Sequence, residues 1–164
     1  YKFRSDSTLI AESRKDLLPF VKNGKLTCNV GNTAVKIIAV NFEKLIPSYD
    51  PMNPRSGEAY NKYFFDKFEK ALPGKGSDAL NFFFSDELNF RVSGNLWNRY
   101  FADEFKKRKG YDITTRLDAL FANTEPETAR IRIDYNDVLV TLCEENFFKP
   151  VYHRIRNILF RTAH

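Results

Sequence analysis

Short apolar and alternating runs fill the first part of the chain and predict a β-rich N-terminal segment over residues 1–45. The runs cover residues 8–11, 25–29 and 35–42, and alternation of apolar with polar side chains is typical of a strand with one buried face. Asn23-Gly24 precedes the second run and predicts a tight turn, because both residue types tolerate a positive φ.

A helix is predicted to follow this segment and to begin at Asn53-Pro54, because asparagine caps helix N-termini and proline suits the first helical turn. Apolar residues then recur at three- and four-residue spacing, which places them on one face of the helix. The residues at that spacing are Tyr60, Phe64, Phe68 and Ala71, and Tyr63 and Phe65 are expected to widen the same apolar face.

A second amphipathic helix carries Trp97, Phe101 and Phe105 on one stripe and ends in the basic run 106–109 followed by Gly110. Cations near a helix C-terminus complement the helix dipole, and glycine supplies the cap. The alternative for the basic run, a nucleic-acid contact, would need exposed rings for stacking, whereas these aromatic residues have core spacing. We therefore expect no nucleic-acid partner.

The last part of the chain is predicted to be helical. A short helix is expected over residues 113–121, and residues 124–127 have the Thr-x-x-Glu pattern of a capping box that opens a long helix. Because Pro150 has no N–H for the helical ladder, we expect a kink or a break near residues 146–149 and a final helix over 151–160. The residues predicted to face inward from the long helix are Ile131, Tyr135, Val138 and Leu142.

The segment 79–84 is almost continuously apolar and ends in three phenylalanines, which is typical of a strand covered on both faces in a parallel α/β sheet. Asp86 and Glu87 follow at once, where the carboxyl ends of such strands face the ligand site. Apolar surroundings would raise the pKa of a carboxyl group there toward the range of a general acid. The alternative is that both carboxylates begin a solvated loop or cap the next helix.

A second acidic pair, Glu144-Glu145, lies late in the long helix. Adjacent helical residues point about 100° apart, so only one of the two can face inward, and the register of the inward row selects Glu145. An inward Glu145 could contact a substrate, or it could pair with an arginine such as Arg130 or Arg132.

Composition and charge exclude several classes of protein. With 43% hydrophobic and 15% aromatic residues the chain is expected to fold, and its net charge of +5 allows an anionic partner without requiring one. No apolar run approaches the roughly 20 residues of a membrane-spanning helix. The chain starts at Tyr1, not at methionine, so we expect it to be part of a longer protein.

The histidines and cysteines predict no metal site and no cofactor. His153 and His164 form no zinc-ligand spacing with Cys28 and Cys143, and no serine-centred nucleophile motif is present. We expect both cysteines to be small buried hydrophobic residues and His153 to lie on a helix surface.

Several motifs, in their order along the chain, resemble bacterial glycoside hydrolases of the α-L-rhamnosidase-like group. The similarity covers about residues 35–152, and it rests on a strand that ends in an acidic motif, a helix led by tryptophan, and an Arg-x-Gly-Tyr-Asp segment before a leucine-rich turn. The matching segments are residues 50–54, 83–88, 96–97 with Phe101 and Phe105, 107–112, 117–121, 132–135 and 144–148.

The resemblance implies a (β/α)8-type catalytic domain with the acidic motif in its active site. Glu87 would be the general acid, with Asp86 orienting the sugar or tuning Glu87, and Glu145 would stand in for the second carboxylate that glycoside hydrolysis requires. Trp97, Tyr100 and Asn89 would contact the substrate. The group also implies a bacterial periplasmic or secreted location.

The length of 164 residues is short of the roughly 250 of a complete barrel. The predicted fold class is therefore α/β, a fragment of a TIM-barrel-like domain over residues 46–164 behind the β-rich segment. The expected function is that of a glycosidase fragment, weakly active or inactive alone, acting on a rhamnose-like carbohydrate. The alternative is a non-catalytic carbohydrate-binding or interaction module on an enzyme-derived scaffold.

Overall fold

The computed structural model describes residues 1–4, 9–43, 49–71, 84, 95–123 and 126–160. Contacts divide the chain into two compact units, which are described separately. The first unit combines Tyr1–Phe42 with Asp112–Asp134, and the second combines Glu43–Tyr111 with Tyr135–His164.

Helices make up most of the regular structure in the described residues. Four short strands form two antiparallel two-stranded sheets, in which β1 pairs with β2 and β3 with β4. The strands are β1 (Lys2–Phe3), β2 (Leu9–Ile10), β3 (Val21–Lys22) and β4 (Lys25–Leu26). The α-helices are α1 (Ser56–Tyr63), α2 (Phe65–Ala71), α3 (Phe101–Lys109), α4 (Thr128–Cys143) and α5 (Lys149–Phe160).

The predicted α/β class, a fragment of a TIM-barrel-like domain, is wrong. The described strands are two residues long and antiparallel, whereas a barrel of that kind is built from parallel strands covered by helices. Among the described residues, the run 35–42 contributes one bridge, between Lys2 and Val35. Its apolar side chains Ile37 and Phe42 are largely exposed, so the alternation of apolar and polar positions does not mark a buried strand face there.

In the first unit, the predicted turn at Asn23-Gly24 is confirmed. Both residues have a positive φ, 50° and 74°, and they connect β3 to β4 in a hairpin. The predicted short helix after residue 112 is confirmed as a 3-10 helix, Ile113–Leu120, whose first turn is capped by the Asp112 carboxylate accepting from the Thr114 N–H at 2.9 Å.

The second unit has an aromatic core around α3 and α4. Phe101 and Phe105 are fully buried, and the ring of Phe101 lies 5.1 Å from that of Tyr135. Tyr135 donates a hydrogen bond of 2.6 Å from its hydroxyl to the carbonyl of Leu96, and burial raises the pKa of this hydroxyl. The inward row predicted for α4 is confirmed, since all four of its residues are buried: Ile131 in the first unit, and Tyr135, Val138 and Leu142 in the second.

The predicted helix after Asn53-Pro54 is present but divided at Phe64 into α1 and α2. Phe65, the first residue of α2, is buried, as expected. Tyr63 does not share that face, because 70% of its surface is exposed. Gly110 adopts the left-handed conformation, φ 80°, and caps α3 as its position predicted.

Pro150 does not break the last helical segment. A π-helical turn, Glu144–Phe148, connects α4 to α5 without an interruption. Proline cannot donate to the carbonyl four residues earlier, that of Asn146, and the hydroxyl of Ser56 on α1 donates to this carbonyl at 3.2 Å instead. The irregularity predicted from Pro150 therefore takes the form of a widened turn supported by another helix.

The two cysteines differ in environment. Cys143 is buried, and burial together with the nearby charge of Asp50 raises the pKa of its thiol to about 11. Cys28 is exposed, so the expectation that both are buried is wrong for this residue. His153 lies exposed on α5, as predicted, and His164 lies outside the described residues. In the described part of the chain we find no helix long and apolar enough to span a membrane.

Candidate functional site

Three of the predicted site residues, Asp86, Glu87 and Asn89, lie outside the described residues, as does most of the predicted strand 79–84. The described residue of that strand, Phe84, has 80% of its surface exposed. The catalytic roles of Asp86 and Glu87 and the substrate contact of Asn89 therefore stay predictions.

Glu145 does not face inward, contrary to its predicted position in the buried row of α4. The π-helical turn shifts the register after Cys143, so that both Glu144 and Glu145 are exposed. Glu145 instead accepts hydrogen bonds from both terminal nitrogens of Arg108, at 2.6 and 3.3 Å. These bonds lower the pKa of the Glu145 carboxyl, which favours its ionised form.

Neither arginine that was considered as a partner of Glu145 contacts it. Arg130 pairs with Glu127, three residues earlier, at 3.5 Å, and Arg132 donates from Nε to the carbonyl of Ala119 at 2.8 Å. The side chain of Glu145 is thus fixed by a surface ion pair to the end of α3.

An open cleft in the second unit is the candidate site. Its volume is about 400 Å³, which falls in the range of small-molecule sites. It lies between the loop that precedes α1 and the loop that precedes α3. The lining residues are Tyr49, Asp50, Asn53, Arg55, Ser56, Glu58, Ala59, Arg99 and Tyr100.

Three Asx turns shape the two loops of the cleft. In each, the side chain of an aspartate or asparagine accepts a hydrogen bond from the backbone N–H two residues later. The pairs are Asp50 with Met52 at 3.0 Å, Asn53 with Arg55 at 3.0 Å, and Asn98 with Tyr100 at 2.9 Å. The two loops are also joined directly, because Asn98 donates from Nδ2 to the second carboxylate oxygen of Asp50 at 2.9 Å.

Partly buried contacts hold the cleft wall against the helices behind it. Asn146, in the π-helical turn, donates from Nδ2 to the carbonyl of Met52 at 2.8 Å. The hydroxyl of Tyr49 donates to the carbonyl of Ser56, and burial raises the pKa of this hydroxyl. The ring of Tyr49 packs edge-on against Phe147 at 5.4 Å. The loop before α1 is therefore fixed at its backbone, and its outer side chains remain on the cleft surface.

Arg55 and Arg99 supply positive charge to the cleft. The guanidinium of Arg55 lies 3.8 Å from the carboxylate of Glu58, and both side chains are largely exposed, at 84% and 75%. Arg99 lies over the ring of its neighbour Tyr100, 4.7 Å from the ring centre, and donates a hydrogen bond to the Tyr100 hydroxyl. The cleft thus combines two guanidinium groups, two carboxylates, an amide and two phenolic rings.

The predicted substrate contacts Trp97 and Tyr100 have different positions. Tyr100 lines the cleft. Trp97 is half-buried and packs on the core ring of Phe101 at 4.8 Å, the core role that the stripe Trp97, Phe101, Phe105 predicts. Sequence reasoning did not identify the cleft. A pattern in the sequence could have indicated its three Asx turns, because each begins at an Asp or Asn next to a proline or an aromatic residue.

Within the described residues, no group of three or more His, Cys, Asp and Glu side chains could hold a metal ion. Comparison with known proteins adds no assignment: no protein-family model, no curated protein and no solved structure matches the chain.

Proposed function

We propose that this chain takes part in the hydrolysis of a glycosidic bond and that the cleft of the second unit binds the carbohydrate. The observation that carries the proposal is the lining of the cleft, where carboxylate, amide and guanidinium groups lie beside the rings of Tyr49 and Tyr100. The similarity of the acidic motif Asp86-Glu87 and its flanking segments to α-L-rhamnosidase-like glycoside hydrolases supports the same conclusion.

A carbohydrate is the class of ligand that this lining suits best. Sugar hydroxyls both donate and accept hydrogen bonds, and the cleft offers acceptors on Asp50 and Glu58 and donors on Arg55 and Arg99. Aromatic rings at a surface give a flat apolar area next to polar groups, on which the C–H face of a sugar ring can pack. The volume of about 400 Å³ leaves room for one or a few sugar units.

The chemical step is assigned to Glu87 as the proton donor to the leaving oxygen, with Asp86 orienting the sugar. Two carboxyl groups flanking the bond are the usual requirement. Glu145 does not suit the role of the second, because both of its carboxylate oxygens accept hydrogen bonds from Arg108 on the surface beside α3.

Replacement of Glu87 by glutamine tests this assignment. We expect Glu87→Gln to lower kcat on aryl glycosides, an aryl α-L-rhamnoside among them, by about 10²-fold or more, since general acid catalysis contributes that much. Sugar affinity measured by calorimetry should stay unchanged. Glu12→Gln, an exposed position in the first unit, is the matched control. Unchanged turnover in Glu87→Gln would rule out the catalytic role.

The second candidate is a carbohydrate-binding module without catalytic activity. The ion pair of Glu145 with Arg108 favours it, because it removes from this chain the carboxylate that was expected to complete a catalytic pair. This candidate predicts sugar binding by the wild-type chain with no hydrolysis of any aryl glycoside, and identical behaviour of Glu87→Gln. A chain that neither binds nor hydrolyses carbohydrate would contradict both candidates.

A further inference from the structure

The charged groups of the cleft differ in how far their hydrogen-bonding capacity is already used. Both carboxylate oxygens of Asp50 accept hydrogen bonds within the loops, one from the Met52 N–H and one from Asn98. Asp50 therefore acts as a structural group whose charge is partly neutralised by its own neighbours. Each oxygen keeps a lone pair for a ligand hydroxyl, but the loops fix the position of the carboxylate.

By contrast, the guanidinium group of Arg55 uses little of its hydrogen-bonding capacity within the described residues. Among the described residues its side chain makes no hydrogen bond, and its one partner is the Glu58 carboxylate at 3.8 Å. A pair of this kind between exposed side chains is weak and readily exchanged. The fork of N–H donors on Arg55 is consequently available to a ligand that presents a planar anion.

Arg99 adds a second cation that is held in place. Its guanidinium lies over the Tyr100 ring and donates to the Tyr100 hydroxyl, so that its orientation is set by the residue next to it. An arginine of this kind loses less side-chain entropy on binding than a freely rotating one. The cleft therefore presents two guanidinium groups, one available and one preorganised, against a single carboxylate that is not held by the loops, Glu58.

We propose that the cleft selects a carboxylate-bearing saccharide, with a uronate group bound by Arg55 and Arg99 in place of Glu58. This inference rests on the proposed carbohydrate function and specifies its substrate class. Glu58 then competes with the ligand. Its carboxylate pairs with Arg55 when the cleft is empty, and the ligand's carboxylate displaces it. The net charge of +5 on the chain favours the approach of such an anion.

Calorimetric titration of the full chain with a galacturonate oligosaccharide and with its methyl ester tests the inference. The ester lacks the negative charge of the carboxyl groups and carries a methyl group on each. We expect the free acid to bind about tenfold or more tightly than the ester, the size of effect that a charge-assisted hydrogen bond gives. Added salt should reduce this preference. Acetate alone should bind far more weakly than the oligosaccharide, and equal affinity for acetate would show an unspecific anion contact and overturn the inference.

Variants of the cleft residues should change the affinity for the acid in opposite directions, which a nonspecific effect would not reproduce. Arg55→Gln and Arg99→Gln should each weaken binding of the acid several-fold and weaken binding of the ester much less, because the ester keeps the sugar hydroxyls but has no carboxylate. Glu58→Gln should strengthen binding of the acid, because it removes the competing carboxylate. The matched control is Lys62→Gln. It removes a positive charge from an exposed position of α1 that does not line the cleft.

Two results separate this inference from the proposed function. Equal affinity for the acid and the ester would overturn the uronate assignment and leave carbohydrate binding in place. Failure of both ligands, and of the aryl glycosides, to bind would overturn the two proposals together. An unchanged or weakened affinity for the acid in Glu58→Gln would contradict the role of Glu58 as a competitor.

Discussion

At the scale of single residues, Asp118 is the most consequential charged group of the first unit. Its side chain is about 10% exposed and receives two hydrogen bonds from Arg14, at 3.1 and 3.2 Å, and one from the hydroxyl of Tyr1. Burial alone would raise the pKa of this carboxyl. The hydrogen bonds from Arg14 and Tyr1 outweigh that effect and lower the pKa below its ordinary value of 3.8.

The lowered pKa predicts a stability difference that depends on pH. A carboxyl group with a depressed pKa in the folded state stabilises it above the unfolded pKa, and this contribution is lost as the pH falls through the folded pKa. We expect Asp118→Asn to lower the free energy of unfolding by about 1–3 kcal/mol at pH 7, the cost of losing charged hydrogen bonds. The difference from wild type should shrink as the pH falls below about 4. Urea denaturation at several pH values measures it.

Asp137→Asn is the matched control for that experiment. Asp137 also forms an ion pair, with Lys109 at 2.7 Å, but its side chain is 61% exposed. Such surface pairs contribute between about 0 and 1 kcal/mol. Equal destabilisation by the two substitutions would show that burial does not strengthen the Arg14–Asp118 pair. A loss of stability in Asp118→Asn that persists at low pH would show that the loss does not come from the ionised carboxylate.

At the scale of elements, the close approach of α1 to the start of α5 depends on Gly57. A Cβ atom at this position would lie 2.7 Å from the Cβ of Pro150 and 2.8 Å from the carbonyl oxygen of Asn146. The same contact lets Ser56 donate to that carbonyl and lets Asn61 donate to the carbonyl of Pro150 at 3.1 Å. The helices meet at this distance because no side chain separates them.

Gly57→Ala is therefore expected to destabilise the protein even though alanine favours helices. Alanine gains about 1 kcal/mol of helix propensity over glycine, whereas forcing an extra methyl group into a packed contact costs about 1–3 kcal/mol. The net loss should appear as a lower free energy of unfolding in urea. Lys62→Ala, at an exposed position of the same helix, should change stability little. A variant Gly57→Ala more stable than wild type would mean that the two helices can separate at no cost.

Elements fixed by local sequence were predicted correctly, and those that need distant partners were not. The Asn23-Gly24 turn, the Gly110 cap and the inward row of α4 follow from backbone preference or helical period, and the structure confirms each. The run 35–42 has the alternation of a strand, but a strand also requires a neighbour to pair with, and here one bridge at Val35 is formed. The position of Glu145 was predicted wrongly because the prediction assumed 3.6 residues per turn throughout, whereas residues 144–148 form a wider π-helical turn.

The candidate site was predictable only in part, for a related reason. Asp50, Asn53 and Asn98 have the residue types of Asx turns, and the resemblance to glycoside hydrolases implies Tyr100, which lines the cleft, as a substrate contact. That Asn98 donates to Asp50 across 48 positions of sequence is a tertiary contact that no local pattern encodes. The cleft exists because of that contact and the support that Asn146 gives from the π-helical turn.

At the scale of the whole molecule, the chain is organised into two units that are not continuous in sequence. Residues Asp112–Asp134 group with Tyr1–Phe42, and the Arg14–Asp118 ion pair joins the two segments of that unit over 104 positions. A division at one point along the chain, such as residues 1–45 against 46–164, does not describe a unit that is built from two separate segments. The lining residues of the cleft that is proposed to bind carbohydrate all belong to the second unit.

The most direct test of the central proposal, that this cleft binds carbohydrate, is an NMR titration of the isotope-labelled full chain with a galacturonate oligosaccharide. The backbone amides of Asn53, Arg55 and Ser56 on one side and of Arg99 and Tyr100 on the other should shift together, with one common binding curve. Resonances of the first unit, including those of Arg14 and Asp118, should stay in place. A titration that moves first-unit resonances and leaves the five cleft amides unchanged would contradict the assignment.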